Sequence, residues 1–418
     1  MEDSNRKTAD HFAFRGTSPS PENNLLRSHS TKETTFSNLI QSPPRLSCPT
    51  LSRSLENSPL HHSDLSPTKR SDCEPQTTYH CASSVLRNDG QILCIALSSN
   101  GLVYTGSESN VVRVWKVPEF TECGQGQVRS KACRVLALQV SNDTVYAAYA
   151  DGKIRVWRRT WDKVLKHLRL ATIPKTLGYV RSYIAGKDKT MHKGLITSMA
   201  INKAEDILYT ASLDKTVKVW RISDLKCIET IKAHPEAINA IIVADDGVLF
   251  TASDDATVRV WRRNFCSHVQ PHSLTVTLHA KYSPVKALTL TPEAGILYAG
   301  CTDGYIHYWL KGWFAGQLQY GGSIQGHTHA VMCLATVAKY LVSGSADSTT
   351  RVWTRQHDGH GQHTCLAVLV GHRGPISCLT AFIAPLLQDN EDSCTICTGS
   401  LDGVFKVWRV THNPPKYF

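Results

Sequence analysis

The stretch TASLDKTVKVW, Thr210 to Trp220, returns 41 residues later as TASDDATVRVW, Thr251 to Trp261. A chain that writes one strand–turn–strand phrase repeatedly must stack like units side by side, because a single unit cannot bury its apolar face alone. The ending recurs seven times: VVRVW at Trp115, KIRVW at Trp157, TVKVW at Trp220, TVRVW at Trp261, YIHYW at Trp309, TTRVW at Trp353 and VFKVW at Trp408. The tryptophans are spaced 42, 63, 41, 48, 44 and 55 residues apart.

Repeats of that length, made of short alternating strands and lacking a 3.6-residue period, read as four-stranded blades. The expected fold is all-β: a single seven-bladed β-propeller over 77–418 behind a disordered N-terminal tail, 1–76. The chain stops ten residues after Trp408, too soon for a good outer strand in the last blade. Thr78 to Arg87 has strand-like alternation and is expected to pair there, which leaves no unprotected edge at the seam.

A His, Ser, Asp and Trp set recurs among the blades. The Asp six residues before the Trp falls in a tight turn that favours a short acceptor side chain. The expected chain runs from the Asp to the His, from the His to the Ser, and from the Ser to the indole N–H, leaving no buried polar group unpaired. Complete sets stand at His192, Ser212, Asp214, Trp220; His234, Ser253, Asp255, Trp261; His327, Ser345, Asp347, Trp353; and His372, Ser400, Asp402, Trp408. Blade one has Asn88 and Ser109 in place of His and Asp, and blade two has Lys131 and Tyr149 in place of His and Ser. In blade five Cys301 replaces Ser, and His279 precedes a lengthened HAKYSPV segment. Those three blades are expected to be less rigid. Recurrence in blade after blade makes the sets structural rather than catalytic.

These motifs resemble the WD-repeat family. The stretches GWFAGQLQYGGSIQGHTHAVMCLA, LVSGSADSTTRVW and GHGQHTCLAVLVGHRGPISCLTAF are similar to the plant Jingubang-like subgroup. That resemblance implies a non-catalytic interaction scaffold in cytoplasm and nucleus, acting through protein partners such as transcription factors in pollen germination and growth control.

The tail holds 14 Ser and 8 of the 18 Pro, with nine Lys/Arg against nine Asp/Glu. Such a composition cannot offset chain entropy by apolar burial. Ser18, Ser20, Ser42, Ser58 and Ser66 each precede proline and are candidate phosphorylation sites. The chain's net charge of +11 is concentrated elsewhere: from Arg158 to Lys193 ten Lys/Arg face Asp162 and Asp188. Within that segment KVLKHLRLATI reads as an outer strand, and the basic loop 174–194 lies on the face where partners dock. Lys175, Arg181, Lys187, Lys189 and Lys193, flanked by Glu236, Tyr282, His329 and Arg373, are the partner-binding candidates. An acidic protein segment, a nucleic acid or another polyanion, and plain solvent are the three readings of this loop.

Other signals are weaker. His357, His360 and His363 have spacing for a shared zinc but no fourth ligand, so a polar hairpin is the reading preferred. Cys394 and Cys397 read as buried strand thiols, and Asp389, Glu391 and Asp392 as a solvated loop. The fourteen cysteines are scattered singly, as in reduced cytosolic or nuclear proteins. The segment MEDSNRKTADHF has no apolar core behind its charges, and no apolar run is long enough to span a membrane. Kinase HRD and DFG motifs and a phosphate loop are missing, so no cofactor, metal or catalytic residue is expected, and an enzyme with a central-channel site is the least favoured alternative. A monomeric propeller is expected.

Overall fold

The structure, a computed structural model, describes residues 76–127, 134–162, 164–174, 191–264, 271–291, 295–312, 317–355, 362–383 and 393–413. The phosphorylation candidates Ser18, Ser20, Ser42, Ser58 and Ser66 lie outside them, as does the loop with Asp389, Glu391 and Asp392. Twenty-eight strands form seven four-stranded antiparallel sheets, with no helix among the described residues. The architecture is the expected all-β, seven-bladed propeller.

Blade three shows how the sequence builds a unit. Its strands are Ile196–Asn202, Ile207–Ser212, Thr216–Arg221 and Lys226–Lys232, hydrogen-bonded in that order. The second strand, ILYTAS, is buried at every position because a neighbouring blade covers each face. The outer strand KCIETIK alternates toward solvent, as one half-exposed strand should. Between the second and third strands Lys215 takes a φ of 71°, the left-handed turn that follows the tetrad Asp. Ala256 and Ser348 hold the same position in blades four and six, with φ of 61° and 67°.

Seven apolar clusters hold the ring, one at each blade interface. In every one the tryptophan of a blade packs into the blade before it. Trp261 joins Tyr209, Val217 and Val219 of blade three, and Trp220 joins Tyr146, Ala148 and Val156 of blade two. Trp157, Trp309, Trp353 and Trp408 repeat the arrangement.

The first strand of each blade is bulged near its start. A bulge re-aims the extra side chain, and here several reach the next blade. Thr197 Oγ1 donates to the carbonyl of Ile238 at 2.7 Å, and Asn239 Nδ2 to that of Val285 at 2.8 Å. Ser377 Oγ donates to Ile92 O across the seam between blades seven and one.

Closure is as the sequence anticipates, one to two residues displaced. Gln76–Leu86 pairs antiparallel with Val404–Asn413 from Gln76↔Asn413 to Leu86↔Val404. Trp115 of blade one stacks on Phe405 of blade seven, ring centroids 5.2 Å apart. Deleting residues 1–70 is expected to leave the melting temperature unchanged, whereas deleting 1–86 exposes the edge of Val404–Asn413 and causes aggregation. Size-exclusion chromatography with thermal melting checks both; a monomeric 1–86 deletion with unchanged melting would remove this strand from the seam.

Candidate docking face and the hydrogen-bond chains beneath it

The indole N–H can only donate and the carboxylate only accept, so a chain between them has one direction. In blade three Trp220 Nε1 donates to Thr210 Oγ1 at 3.0 Å, and Thr210 Oγ1 lies 2.8 Å from His192 Nε2. His192 Nδ1 lies 2.9 Å from Asp214 Oδ2. A neutral imidazole protonated at Nδ1 satisfies every member: it accepts from the Thr and donates to the Asp. Blades four, six and seven repeat the chain through Thr251, Ser343 and Thr398.

This corrects the sequence reading at one member. Ser212, Ser253, Ser345 and Ser400 do not join His to Trp; the joining hydroxyl is two residues earlier. Residues two apart share a face of a strand, so both hydroxyls face the chain. Register decides between them. Trp220 pairs with Leu208, which brings its ring to Thr210, whereas Ser212 sits at the turn. There each Ser accepts the Asp amide at 3.1–3.2 Å. Ser345 and Ser400 also donate to the carbonyls of His329 and Gly374, both at 3.0 Å.

The Asp is held from several sides. Asp214 accepts from His192, from the amide of Lys193 at 2.8 Å, and from both the amide and hydroxyl of Thr216 at 3.0 and 2.6 Å. Asp347 has the same set, with Thr328 and Thr349. Asp255 lacks one donor because Pro235 has no N–H, and Asp402 lacks one because Val404 has no hydroxyl. Burial works against the charged form of all four, but these hydrogen bonds outweigh it and hold each carboxyl below the usual range. In His234 and His372 burial is the stronger effect and lowers the pKa, so the imidazole stays neutral.

The same bonds build the surface. Lys193, Thr328 and Arg373 each follow a tetrad His and give their amides to the Asp, leaving their side chains exposed. Gly194, next in line, has no room for a Cβ, which would lie 2.7 Å from the amide nitrogen of Asp214. Among the predicted partner-binding residues Lys193, Glu236, Tyr282, His329 and Arg373 are all exposed, in the segments leading into blades three to seven. Tyr282 is 99% exposed, and Glu236 pairs with Lys215 at 3.3 Å. Lys175, Arg181, Lys187 and Lys189 lie outside the described residues.

Blades one, two and five satisfy their polar groups differently. In blade one Trp115 still donates to Thr105 at 2.9 Å, but Asn88 is exposed and Ser109 bonds Ser107 at 2.9 Å. A cavity of about 20 Å³, room for a single water, lies beside Thr105 and Trp115. Arg113 ties Asp89 to Glu122 nearby. In blade two Arg155 lies 4.2 Å over the ring of Tyr149 and donates to both oxygens of Asp151 at 3.2 and 2.6 Å; Lys131 lies outside the described residues. In blade five Ala299 replaces the hydroxyl residue, His279 is an exposed residue of blade four's outer strand, and the Asp303 amide donates to Ser283 Oγ at 3.2 Å. The sequence signal for Arg113 and Arg155 is the basic residue two before each Trp except Trp309.

Three further bridges escape sequence reasoning. Tyr104, Tyr209 and Tyr298 meet His167, His272 and His363 of the next blade's outer strand at 3.2, 3.0 and 2.9 Å. His272 also bonds buried Glu229 through Nδ1 at 2.5 Å. Of the three histidines read as a polar hairpin, His363 instead begins the strand His363–Val370 and is held by its hydrogen bond with Tyr298; His357 and His360 lie outside the described residues. Among the described residues no cluster of three or more His, Cys, Asp or Glu could hold a metal ion. Cys394 and Cys397 are buried free thiols three apart in a strand, hence on opposite faces, and burial pushes the Cys394 pKa up to about 12.

Replacing Thr210 by Val keeps the shape but unpairs Trp220 N–H and His192 Nε2, and is expected to cost about 1–3 kcal/mol. Ser212→Ala should cost less, because the indole and imidazole keep their partners. Denaturant titration of both variants checks this; equal midpoints at equal slopes would refute the corrected assignment. Burial first, and Arg355 second, lower the His363 pKa to about 4. The folded pKa is depressed, so this contribution to stability is complete above the unfolded value of about 6.5 and lost as pH falls toward 4. His363→Gln should be less stable at pH 8 yet lose less between pH 6.5 and 4; an unchanged pH slope would exclude this histidine.

A family model described as WD domain, G-beta repeat matches residues 77–116, 187–221, 225–262, 319–354 and 363–409. Rat telomerase protein component 1 is 27% identical over 336 residues, which is 76% of this chain and 11% of that protein. Rice zinc finger CCCH domain-containing protein 17 is 26% identical over 39% of this chain and 31% of its own length. Protein lethal(2)denticleless of Drosophila melanogaster is 30% identical over 27% of this chain and 14% of its own length. The chain thus spans less than a third of each of these relatives. The repeats unmatched by the family model are those of blades two and five, where the joining hydroxyl is lost to Ala147 and Ala299. Sequence match and hydrogen-bond chain coincide on blades three, four, six and seven, blade one is matched while keeping only the indole–hydroxyl bond, and the protein is a WD40-repeat β-propeller.

Proposed function

We propose that the chain is a non-catalytic interaction scaffold that binds an acidic protein segment on the face where the chain leads into each blade. Propellers of this family generally act as protein-interaction scaffolds. The observation that carries the reading is the coupling of the tetrads to that face. Each half-buried Asp fixes the backbone under an exposed side chain at Lys193, Thr328 and Arg373. A rigid ring then presents side chains that bear none of its stability. The excess of Lys/Arg between Arg158 and Lys193 supplies the charge.

The finer reading rests on the resemblance to the plant Jingubang-like subgroup. On it, the partner is a transcription factor or similar regulator in cytoplasm and nucleus, the setting is pollen germination and growth control, and the propeller acts as a monomer. Phosphorylation of the Ser-Pro tail would regulate it.

Replacing Lys175, Arg181, Lys187, Lys189 and Lys193 by Ser should spare the melting temperature and weaken capture of acidic proteins from plant tissue. The difference should shrink at high salt, where screening already removes most of the attraction. Capture undiminished at low salt would remove these residues from the function. A steep linear fall of nucleic-acid affinity with log salt, absent from the variant, would instead favour polyanion binding.

A further inference from the structure

Blade five departs from the docking-face pattern in a single turn. Each tetrad histidine stands four residues before the first buried residue of its inner strand: His192 before Ile196, His234 before Ile238, His327 before Val331 and His372 before Ile376. The same count back from Val285 falls on Lys281, so the HAKYSPV segment has the ordinary length. The four histidines are buried. Lys281 is exposed, its ammonium 5.8 Å from the centre of the Tyr320 ring. Tyr282 follows at the place held by Lys193, Thr328 and Arg373 in their blades, and is 99% exposed.

The backbone shows how this comes about. Lys281 and Tyr282 have φ of 39° and 70°, the only two consecutive non-glycine residues in the left-handed region among the described residues. The base of the turn is fixed. Ser283 N donates to Ala280 O at 2.9 Å, and Ala280 N to Ala256 O at 3.0 Å. Ala280 and Ser283 are buried, and Ser283 Oγ lies 3.1 Å from Thr302 Oγ1 while accepting the Asp303 amide.

A two-residue turn with both central φ positive favours glycine or asparagine, and a bulky side chain there is strained. Tyr282 carries that strain while burying almost nothing within the fold. Strain of this kind gathers at binding sites, and a rigid aromatic ring offers a partner large contact area at little entropy cost. The exposed charges beside it, Lys281 and Asp303, are of opposite sign, so the turn does not select by charge. A ring standing clear of its own surface is enclosed only by a concavity. An extended peptide has none and covers one side of it at most.

We propose that Tyr282 is the anchor by which a folded partner docks, its ring entering an apolar pocket of that partner and its hydroxyl donating to an acceptor there. The proposal rests on the reading of this face as a protein-docking surface, and adds that the partner is folded and concave opposite blade five.

The test places photoreactive p-benzoylphenylalanine at position 281 of full-length protein, and at position 161 as a control, and irradiates both in plant extract. The protein crosslinked from 281 alone is identified and purified, and calorimetric titration against the parent chain decides. Tyr282→Ala should weaken binding about tenfold or more, as loss of a central aromatic anchor does, and Tyr282→Phe should weaken it less. Tyr282→Gly should lose binding as Tyr282→Ala does yet melt no lower than the parent, because glycine accepts a φ of 70° without strain. No protein crosslinked from 281 alone, equal binding by Tyr282→Ala, or full binding by an isolated linear segment of the partner overturns the proposal. A lower melting temperature for Tyr282→Gly would assign the tyrosine to the fold and overturn it as well. Lys193→Ser with Arg373→Ser separates this proposal from the docking reading. Loss there with indifference to Tyr282→Ala keeps the docking face and removes the anchor, and indifference to both removes both.

Discussion

A buried imidazole with both nitrogens engaged is the joint on which each regular blade depends. The indole supplies only a proton and the carboxylate only lone pairs, so the hydroxyl and imidazole between them have their orientations forced. Any hydroxyl will serve at the middle position, and Ser343 replaces Thr without loss of either bond. A methyl will not. In blades two and five, where Ala147 and Ala299 stand there, the tetrad histidine is gone as well. The two losses belong together, because a buried imidazole with an unpaired nitrogen costs more than no imidazole. Blade one keeps its hydroxyl–indole bond, with space for about one water beside Thr105 and Trp115.

The chain also ties packing to surface. The tryptophan end buries its ring against the preceding blade, and the Asp end gathers the amides of the turn and of the loop above it. One linear set of bonds therefore positions an interblade contact and an exposed loop residue. Disturbing the middle loosens both ends, which is why stability and loop geometry are coupled in blades three, six and seven. Blade four is partly released from this coupling by Pro235, which leaves Glu236 positioned by its pairing with Lys215 instead.

The ring was legible in the sequence because a strand ending in Trp recurs seven times, with an Asp six residues before six of them. Closure was legible because a strand pattern is spare at Thr78 to Arg87, ahead of the first inner strand. The choice between Thr210 and Ser212 was not, since both lie on one strand face and only the pairing of Trp220 with Leu208 separates them. The bridges from Tyr104, Tyr209 and Tyr298 were hidden for another reason: they join residues 63 to 65 positions apart in alternate pairs of blades, with no repeat of their own at the blade period. Arg113 and Arg155 left a visible trace in the basic residue two before each Trp, but its use differs from blade to blade. Of the docking face, Lys193 and Arg373 were legible through their adjacency to the tetrad histidines.

The excess of positive charge acquires a structural meaning once the hairpin of blade two is placed. Part of it lies not in a loop but along an outer strand that also exposes two leucines. A long apolar edge with mixed charge would invite a second copy, and a polar edge would hold nothing. The outer strand of blade two bulges opposite Trp157, as the other outer strands bulge beside their tryptophans, so no flat edge is offered to a second copy. Arg159 pairs with Asp143 and reaches Ser98 of blade one at 3.2 Å, so one cation of the hairpin joins blade two to blade one.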